Sequence, residues 1–232
     1  MPTSSPFRIG NINVTTLSDG YLDIPQGFFP EAPSRDLPEE NAPIRFGANS
    51  WLVEIGGRRI LIDAGSGTFL RQRYPETGQL HRALTSRDIA PDTISDVIVT
   101  HMHADHIGGL VQDGQSAFPN ADILINAIEW AYWTDPALLE DTPEDRRPLV
   151  TLIQTISRPI TSQVHLWQDE LLLADGLTLF ATPGHTPGHS SVQISEGDEK
   201  LMILGDVLVS EALQISDPSI VYALDTDPDI AV

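Results

Sequence analysis

Thr100-His101-Met102-His103-Ala104-Asp105-His106-Ile107-Gly108-Gly109 puts three of the chain's seven histidines and one aspartate into a six-residue window. It comes directly after Asp96-Val97-Ile98-Val99, an apolar run that reads as a buried strand. On extended backbone, side chains repeat every two residues, so His101 and His103 point to one side and can share a metal ion. Asp105 and His106 lie past the strand end, where the chain turns, and can face a second ion beside the first. Gly108 and Gly109 let the backbone pack closely at the start of the next element. A solvated histidine-rich loop is the competing reading, and so dense a cluster argues against it.

Two later segments have the same form. Ala181-Thr182-Pro183-Gly184-His185-Thr186-Pro187-Gly188-His189-Ser190 closes another apparent strand, and each Pro-Gly pair forces a turn that presents a histidine from a rigid loop. Leu201-Met202-Ile203-Leu204-Gly205-Asp206 is an apolar strand ending in a carboxylate. Three strand ends that each deliver a ligand type suit a site between two sheets.

Working outward, Ile9 to Leu17 reads as an edge strand and Asp23 to Pro43, rich in proline and acid, as a long loop. Ser50 to Ile55 and Arg58 to Asp63 form a hairpin about Gly56-Gly57, and Asp63 begins a tight glycine-rich turn. A helix is expected around Gln79 to Leu84, a strand over Ala121 to Asn126, and a short aromatic helix over Ala127 to Trp133. Pro143 to Ile156 reads as a surface helix broken or kinked early by Pro148. Strands are expected over Leu171 to Leu173, Leu177 to Thr182, Ser191 to Ser195 and Lys200 to Leu204. Two β-rich halves with helices between them predict two sheets face to face with helices outside, as one domain over residues 1–232.

Composition narrows the function. The 33 acidic against 13 basic residues give a formal charge of -20, which disfavours nucleic acid and anionic membrane surfaces as partners. The chain has no cysteine, so any zinc must be held by histidine and carboxylate, as in catalytic sites. Met1-Pro2-Thr3-Ser4-Ser5-Pro6 lacks the features of a signal peptide, and no apolar run approaches ~18 residues. A cytoplasmic protein without a membrane span is the expectation.

His-x-His-x-Asp-His, the Pro-Gly-His turn and the strand-end Gly-Asp, in that order, resemble the metallo-β-lactamase-fold hydrolases from Asn49 through Asp206. Ala117-Phe118-Pro119-Asn120-Ala121 and Thr182 to Ser191 make the resemblance strongest to the group containing methyl parathion hydrolase and the acyl-homoserine-lactone lactonases. The resemblance implies a four-layer αββα sandwich with two divalent metal ions, zinc foremost and iron, manganese or cobalt as alternatives. His101, His103 and His185 would bind the first ion, Asp105 and His106 the second, and Asp206 would bridge them. Asp63 would support the site by hydrogen bonding, and His189 would play a supporting or structural part.

Such a site holds a hydroxide between its metals at neutral pH, and Asp105 or Asp206 would carry a proton to the leaving group. Trp133 is expected as a pocket wall and Phe28 and Phe29 as lids, although ordinary packing accounts for them equally well. A small uncharged ester, lactone or phosphotriester would suit such a pocket. A β-lactamase, a glyoxalase-II-like thioesterase, a diiron or persulfide redox enzyme and an inactive binding or structural domain are the rival readings, and a homodimer is possible. In the resembled family a further histidine comes after a later helix and strand. Here none comes after Asp206, so a C-terminally incomplete domain is expected, with the acidic stretch Asp225 to Asp229 as a helix start or solvated segment.

Overall fold

Strand patterning along the chain separates two kinds of sheet. The computed structural model of the protein describes residues 6–39 and 42–231; the reading of Met1 to Pro6 falls almost wholly outside them, as do two residues of the proline-rich loop. A long hairpin comes first, with β1 (Phe7–Ile9), β2 (Ile12–Ile24), β3 (Ile44–Ile55) and β4 (Arg58–Ile62) pairing antiparallel. The β3–β4 turn is Gly56-Gly57, both at positive φ, the conformation a two-residue hairpin requires. After helix α1 (Leu80–Thr85), strand β5 (Asp96–Ile98) joins β4 in parallel. Next come helix α2 (Ala104–Ile107), the small hairpin β6 (Val111–Gln112) and β7 (Gln115–Ser116), and strand β8 (Asp122–Asn126). Helices α3 (Ala127–Thr134), α4 (Leu138–Asp141) and α5 (Arg147–Ile160) then lead to β9 (Val164–Trp167). The resulting seven-stranded sheet runs β1-β2-β3-β4-β5-β8-β9, parallel from β4 to β9. Central strands β5 and β8 are buried on both faces, hence their unbroken apolar runs.

The second sheet is antiparallel, in the order β10 (Glu170–Ala174), β11 (Leu177–Ala181), β12 (Ser190–Glu196) and β13 (Glu199–Ile203). Its inward residues Leu177, Leu179, Val192 and Ile194 meet Val14, Val53, Ile60, Ile62 and Ile98 of the first sheet in a dry layer. Its other face is partly open to solvent, with Leu172 66% and Met202 43% exposed. The opposite face of the large sheet is covered by helices, chiefly α5, whose Val150, Ile153, Ile156 and Ile160 recur at helical spacing and are buried. Two short helices, α6 (Glu211–Gln214) and α7 (Pro228–Ala231), complete the described chain.

Two expectations need correction. Pro148 does not kink the helix over 147–160; it lies in the first turn, where a missing N–H breaks no intrahelical bond, and so it helps start the helix. The edge strand expected over Ile9 to Leu17 is broken by a turn after Ile9: the long strand starts at Ile12, lies inside β1 rather than at the edge, and continues past Leu17 to Ile24, because a register shift at Ser18/Gly20 absorbs Asp19 as an inward-pointing bulge residue. Asp19 is fully buried there and accepts the backbone N–H groups of Ser66 (2.8 Å), Gly78 (3.0 Å) and Leu80 (2.9 Å). It thereby ties the turn after β4 to the start of α1.

Parallel strands share a direction, so β4, β5 and β8 release their C-terminal ends at one edge of the sheet, the usual ligand edge of such architectures. The loops after β11 and β13 reach the same edge. Asp19→Ala removes the acceptor shared by three buried donors at this edge; about 1–3 kcal/mol per unsatisfied donor predicts a loss of at least about 3 kcal/mol in urea unfolding. A loss under about 1 kcal/mol would mean that the bulge carboxylate does not hold the turn.

Candidate metal centre

Five histidines and four aspartates meet where these loops converge. Asp63, the first residue after β4, has φ +58° and is 1% exposed. Its carboxylate accepts Thr100 N–H (2.8 Å), the Thr100 hydroxyl (2.8 Å) and His106 Nδ1 (2.8 Å). Thr100 Oγ1, its proton already given to Asp63, accepts from His101 Nδ1 at 3.1 Å. His101 and His106 therefore each carry a proton on Nδ1 and turn Nε2 toward the site. His103 ends the extended stretch and caps α2, which opens with Asp105 and His106 on its first turn. Gly109 allows this turn to lie against the loop after β4; a Cβ there would stand 1.9 Å from the Ala64 carbonyl oxygen.

The nitrogens converge closely. His103 Nδ1 lies 3.1 Å from His101 Nε2 and 3.0 Å from His185 Nε2. His185 Nδ1 donates to Asp225 Oδ1 (2.8 Å), so its Nε2 is also a lone pair. One proton on His103 cannot satisfy both neighbours, and hydrogen bonding alone leaves this triad frustrated; a cation among the three nitrogens satisfies all of them. Beside it, His106 Nε2 is 3.4 Å from Asp206 Oδ1 and 3.6 Å from Asp105 Oδ2. Asp206 Oδ2 is turned the other way, 3.5 Å from His185 Nε2 and 3.9 Å from His101 Nε2. One carboxylate thus gives an oxygen to each cluster. His101, His103 and His185 form one potential ligand group, and His101, His106 and Asp206 a second.

Electrostatics favour cation binding. Burial first, then the neighbouring imidazoles, hold His101 and His103 well below the usual histidine range, so both are neutral imidazoles. Burial opposes charge on His106, but the carboxylates of Asp206, Asp105 and Asp63 outweigh it and raise its pKa. Burial raises Asp105. Burial acts the same way on Asp206, but His106 and then His185 and His189 overcome it and hold that carboxyl well below its ordinary value.

His189 behaves differently. Its Nε2 accepts the backbone N–H of Asp206 (3.0 Å), and its Nδ1 meets the Thr182 carbonyl oxygen at 3.1 Å. Burial, then His185, pushes it down to about 3. A neutral His189 with both nitrogens engaged fixes the turn that carries Asp206.

The aromatic expectations divide. Phe28 lines a cavity of about 550 Å3 that opens onto His103, Asp105, His185 and Asp206. Phe29 does not: it is 1% exposed and packs on Phe46 and Tyr222. Trp133 is not a pocket wall either. It stands edge-on behind His103 at 5.5 Å, held there because its Nε1 donates to the buried Glu129 (2.8 Å). The acidic tail is not simply solvated: Asp225, whose side chain is 5% exposed, binds His185 and also accepts Tyr222 N–H (2.9 Å).

Three contributors escape a reading of the sequence. Glu129 Oε1 accepts Met102 N–H (2.8 Å) besides Trp133, and its Oε2 accepts Gly188 N–H (2.9 Å). This buried carboxylate links the His101–His106 loop to the His185–His189 loop; burial raises its pKa against the pull of those N–H groups. The signal for it is the Glu129/Trp133 pair at i,i+4 on one helix. Asp225 is the second. Tyr222, stacked on His185 at 5.9 Å and on Phe28 at 5.7 Å, is the third, and burial together with Asp105 and Asp206 keeps its phenol protonated.

Glu129→Gln sets an amide NH2 against one of these donors. Denaturant unfolding of the metal-free protein is expected to show a loss of about 1–3 kcal/mol. An unchanged midpoint would mean that the two loops are held by other contacts.

Comparison with known proteins agrees with this geometry. Residues 43–228 match the family model described as the metallo-beta-lactamase superfamily. A curated relative, the acyl-coenzyme A thioesterase MBLAC2 of Bos taurus, is 30% identical over 72% of this chain and 60% of its own length. The metallo-beta-lactamase domain-containing protein 1 of Mus musculus is 26% identical over 94% of this chain and 75% of its own. The chain thus spans about 60% of the thioesterase's length. Among solved structures, AidC, a dizinc quorum-quenching lactonase in complex with a product, superposes with TM-score 0.89 at 28% identity, covering 98% of this chain and 82% of its own. The hydrolase AbOPH gives TM-score 0.86 at 24% identity, over 100% of this chain and 83% of that one, a likeness of fold. Two sheets packed face to face, a His-x-His-x-Asp-His turn at their shared edge and a match over residues 43–228 make this chain a member of the metallo-beta-lactamase superfamily.

Proposed function

We propose that the chain is a binuclear metal-dependent hydrolase that cleaves an acyl ester, lactone or thioester at its uncharged carbonyl. The observation that carries this reading is the convergence of His101 Nε2, His103 Nδ1 and His185 Nε2 beside the His106–Asp206 pair, at the floor of a largely apolar cavity. His101, His103 and His185 are assigned to one ion, Asp105 and His106 to the other, and Asp206 to both. Asp63, His189 and Asp225 hold these ligands in place. A nitrogen-rich set without thiolate suits zinc; iron, manganese and cobalt are the alternatives.

When bound, two such ions supply a water deprotonated near neutral pH and a Lewis acid for the carbonyl oxygen. The chain's own residues do the rest. Apolar walls at Leu22, Phe28 and Phe46 exclude water from the acyl chain. Tyr222, a protonated phenol in the cavity wall, is placed to donate to an oxygen of the substrate. Asp105 or Asp206, both lining the cavity, carries a proton to the leaving group. Acyl chemistry is favoured over phosphotriesters by the likeness to a dizinc lactonase at 28% identity and to an acyl-coenzyme A thioesterase at 30%.

The test is metal analysis joined to a panel of acyl-homoserine lactones, p-nitrophenyl esters, acyl thioesters and phosphotriesters. His101→Ala and His185→Ala are expected to lower bound zinc and reduce kcat/KM by at least about a hundredfold. Asp225→Asn is expected to weaken zinc binding about tenfold to a hundredfold through misorientation of His185. Undiminished turnover by His101→Ala, or turnover of phosphotriesters alone, would overturn the assignment.

A further inference from the structure

The cavity has a floor, walls and a rim of different chemistry. Its floor is acidic and imidazole-lined, and its walls are apolar. Its rim carries two guanidinium groups, Arg73 before Tyr74 and Arg146 at the start of α5. Both residues are exposed, and neither forms an ion pair with a carboxylate among the described residues. Arg73 leans over the Tyr74 ring at 5.3 Å, and Arg146 donates to the Ala223 carbonyl oxygen at 3.2 Å, which holds it beside the Tyr222–Leu224 wall. Asp145 also lines the rim, so two cations face one anion there.

This arrangement runs against the rest of the molecule. A chain with net charge -20 repels anions over most of its surface, yet two of its 13 basic residues stand at the mouth of the cavity that reaches the metal cluster. Guanidinium groups without a carboxylate partner keep their donors free for a planar or tetrahedral oxyanion. The rest of the lining is largely apolar, with Leu22, Ile24, Phe28, Phe46, Leu70 and Leu149, and the arginines are exposed where His103 and His185 are buried, so the group they bind lies away from the bond that breaks.

The geometry points to an anion subsite formed by Arg73 and Arg146, and so to a substrate with an uncharged reacting carbonyl, an apolar middle and an oxyanion, carboxylate or phosphate, at its far end. This deepens the proposed hydrolase activity and rests on it for the placement of the carbonyl. It also narrows the uncharged substrate expected from sequence: only the reacting end is uncharged.

The test uses the full zinc-loaded chain with three thioesters. Hexanoyl-N-acetylcysteamine is neutral, adipoyl-N-acetylcysteamine carries a carboxylate on the acyl side, and hexanoyl-coenzyme A carries phosphates on the leaving group. The readout is kcat/KM for each anionic probe divided by that for the neutral one. Arg73→Gln and Arg146→Gln are each expected to lower the ratio for the favoured probe about threefold, and the double variant about tenfold. Arg158→Gln, an exposed change of the same charge on α5 outside the cavity, should leave the ratio as it is. Whichever anionic probe responds identifies the side of the scissile bond on which the oxyanion lies. Calorimetric titration with the thioether counterparts of the same probes, which cannot be hydrolysed, reads the subsite separately. If the thioethers discriminate through the two arginines while no lactone, ester or thioester of the panel is cleaved, the subsite stands and the hydrolase reading falls. If thioesters are cleaved but the double variant keeps the wild-type ratio, or Arg158→Gln changes it equally, the subsite is overturned.

Discussion

Asp63 accepts three hydrogen bonds in a left-handed backbone conformation at the end of β4, and the geometry of the histidine–aspartate cluster depends on them. By taking the Thr100 hydroxyl proton it leaves Thr100 only an acceptor for His101 Nδ1; by taking His106 Nδ1–H it fixes the second imidazole directly. Two histidines whose rings lie 4.0 Å apart are thereby both anchored through Nδ1, with Nε2 turned inward. His185 reaches the same state by a different route, through Asp225. These three imidazoles are thus oriented by two buried carboxylates, Asp63 and Asp225, an arrangement that fixes both ring rotation and basicity.

The fold supplies the constraint that makes this possible. Parallel pairing of β4, β5 and β8 sends three strand ends to one edge, and the dry layer between the sheets brings the loops after β11 and β13 to meet them. Buried charge at that edge is managed by satisfaction rather than by pairing alone. Asp19 and Glu129 are carboxylates held by N–H donors from distant loops. They brace the edge, while Asp105 and Asp206 keep oxygens directed at imidazole nitrogens.

How much of this is legible in sequence depends on the range of each interaction. His101, His103, Asp105 and His106 can be read because they are adjacent, and strand alternation ending in a tight turn determines where neighbours point. The Pro-Gly turns and the strand-end Gly-Asp can be read for the same local reason, as can the two-sheet class. Glu129 is not legible as a brace: its partners Met102 and Gly188 lie 27 and 59 residues away, and Asn126 to Glu129 resembles ordinary helix capping. Asp225 contacts His185 across 40 residues, within a run of aspartates that composition alone marks as solvent-facing. Phe28 and Phe29 look equivalent in sequence, yet consecutive side chains diverge, and only one faces the cavity. Trp133 is drawn away from the cavity because its indole N–H needs a buried acceptor, which sequence does not reveal.

Long-range 1H–15N correlation of the histidine rings in the zinc-loaded chain reports which nitrogen carries the proton and which binds metal. Protons are expected on Nδ1 of His101, His106, His185 and His189 and on Nε2 of His103. Nε2 of His101, His106 and His185 and Nδ1 of His103 should fall in the metal-coordinated range, with His189 outside it. A coordinated His189, or an Nε2–H proton on His101, His106 or His185, would contradict it.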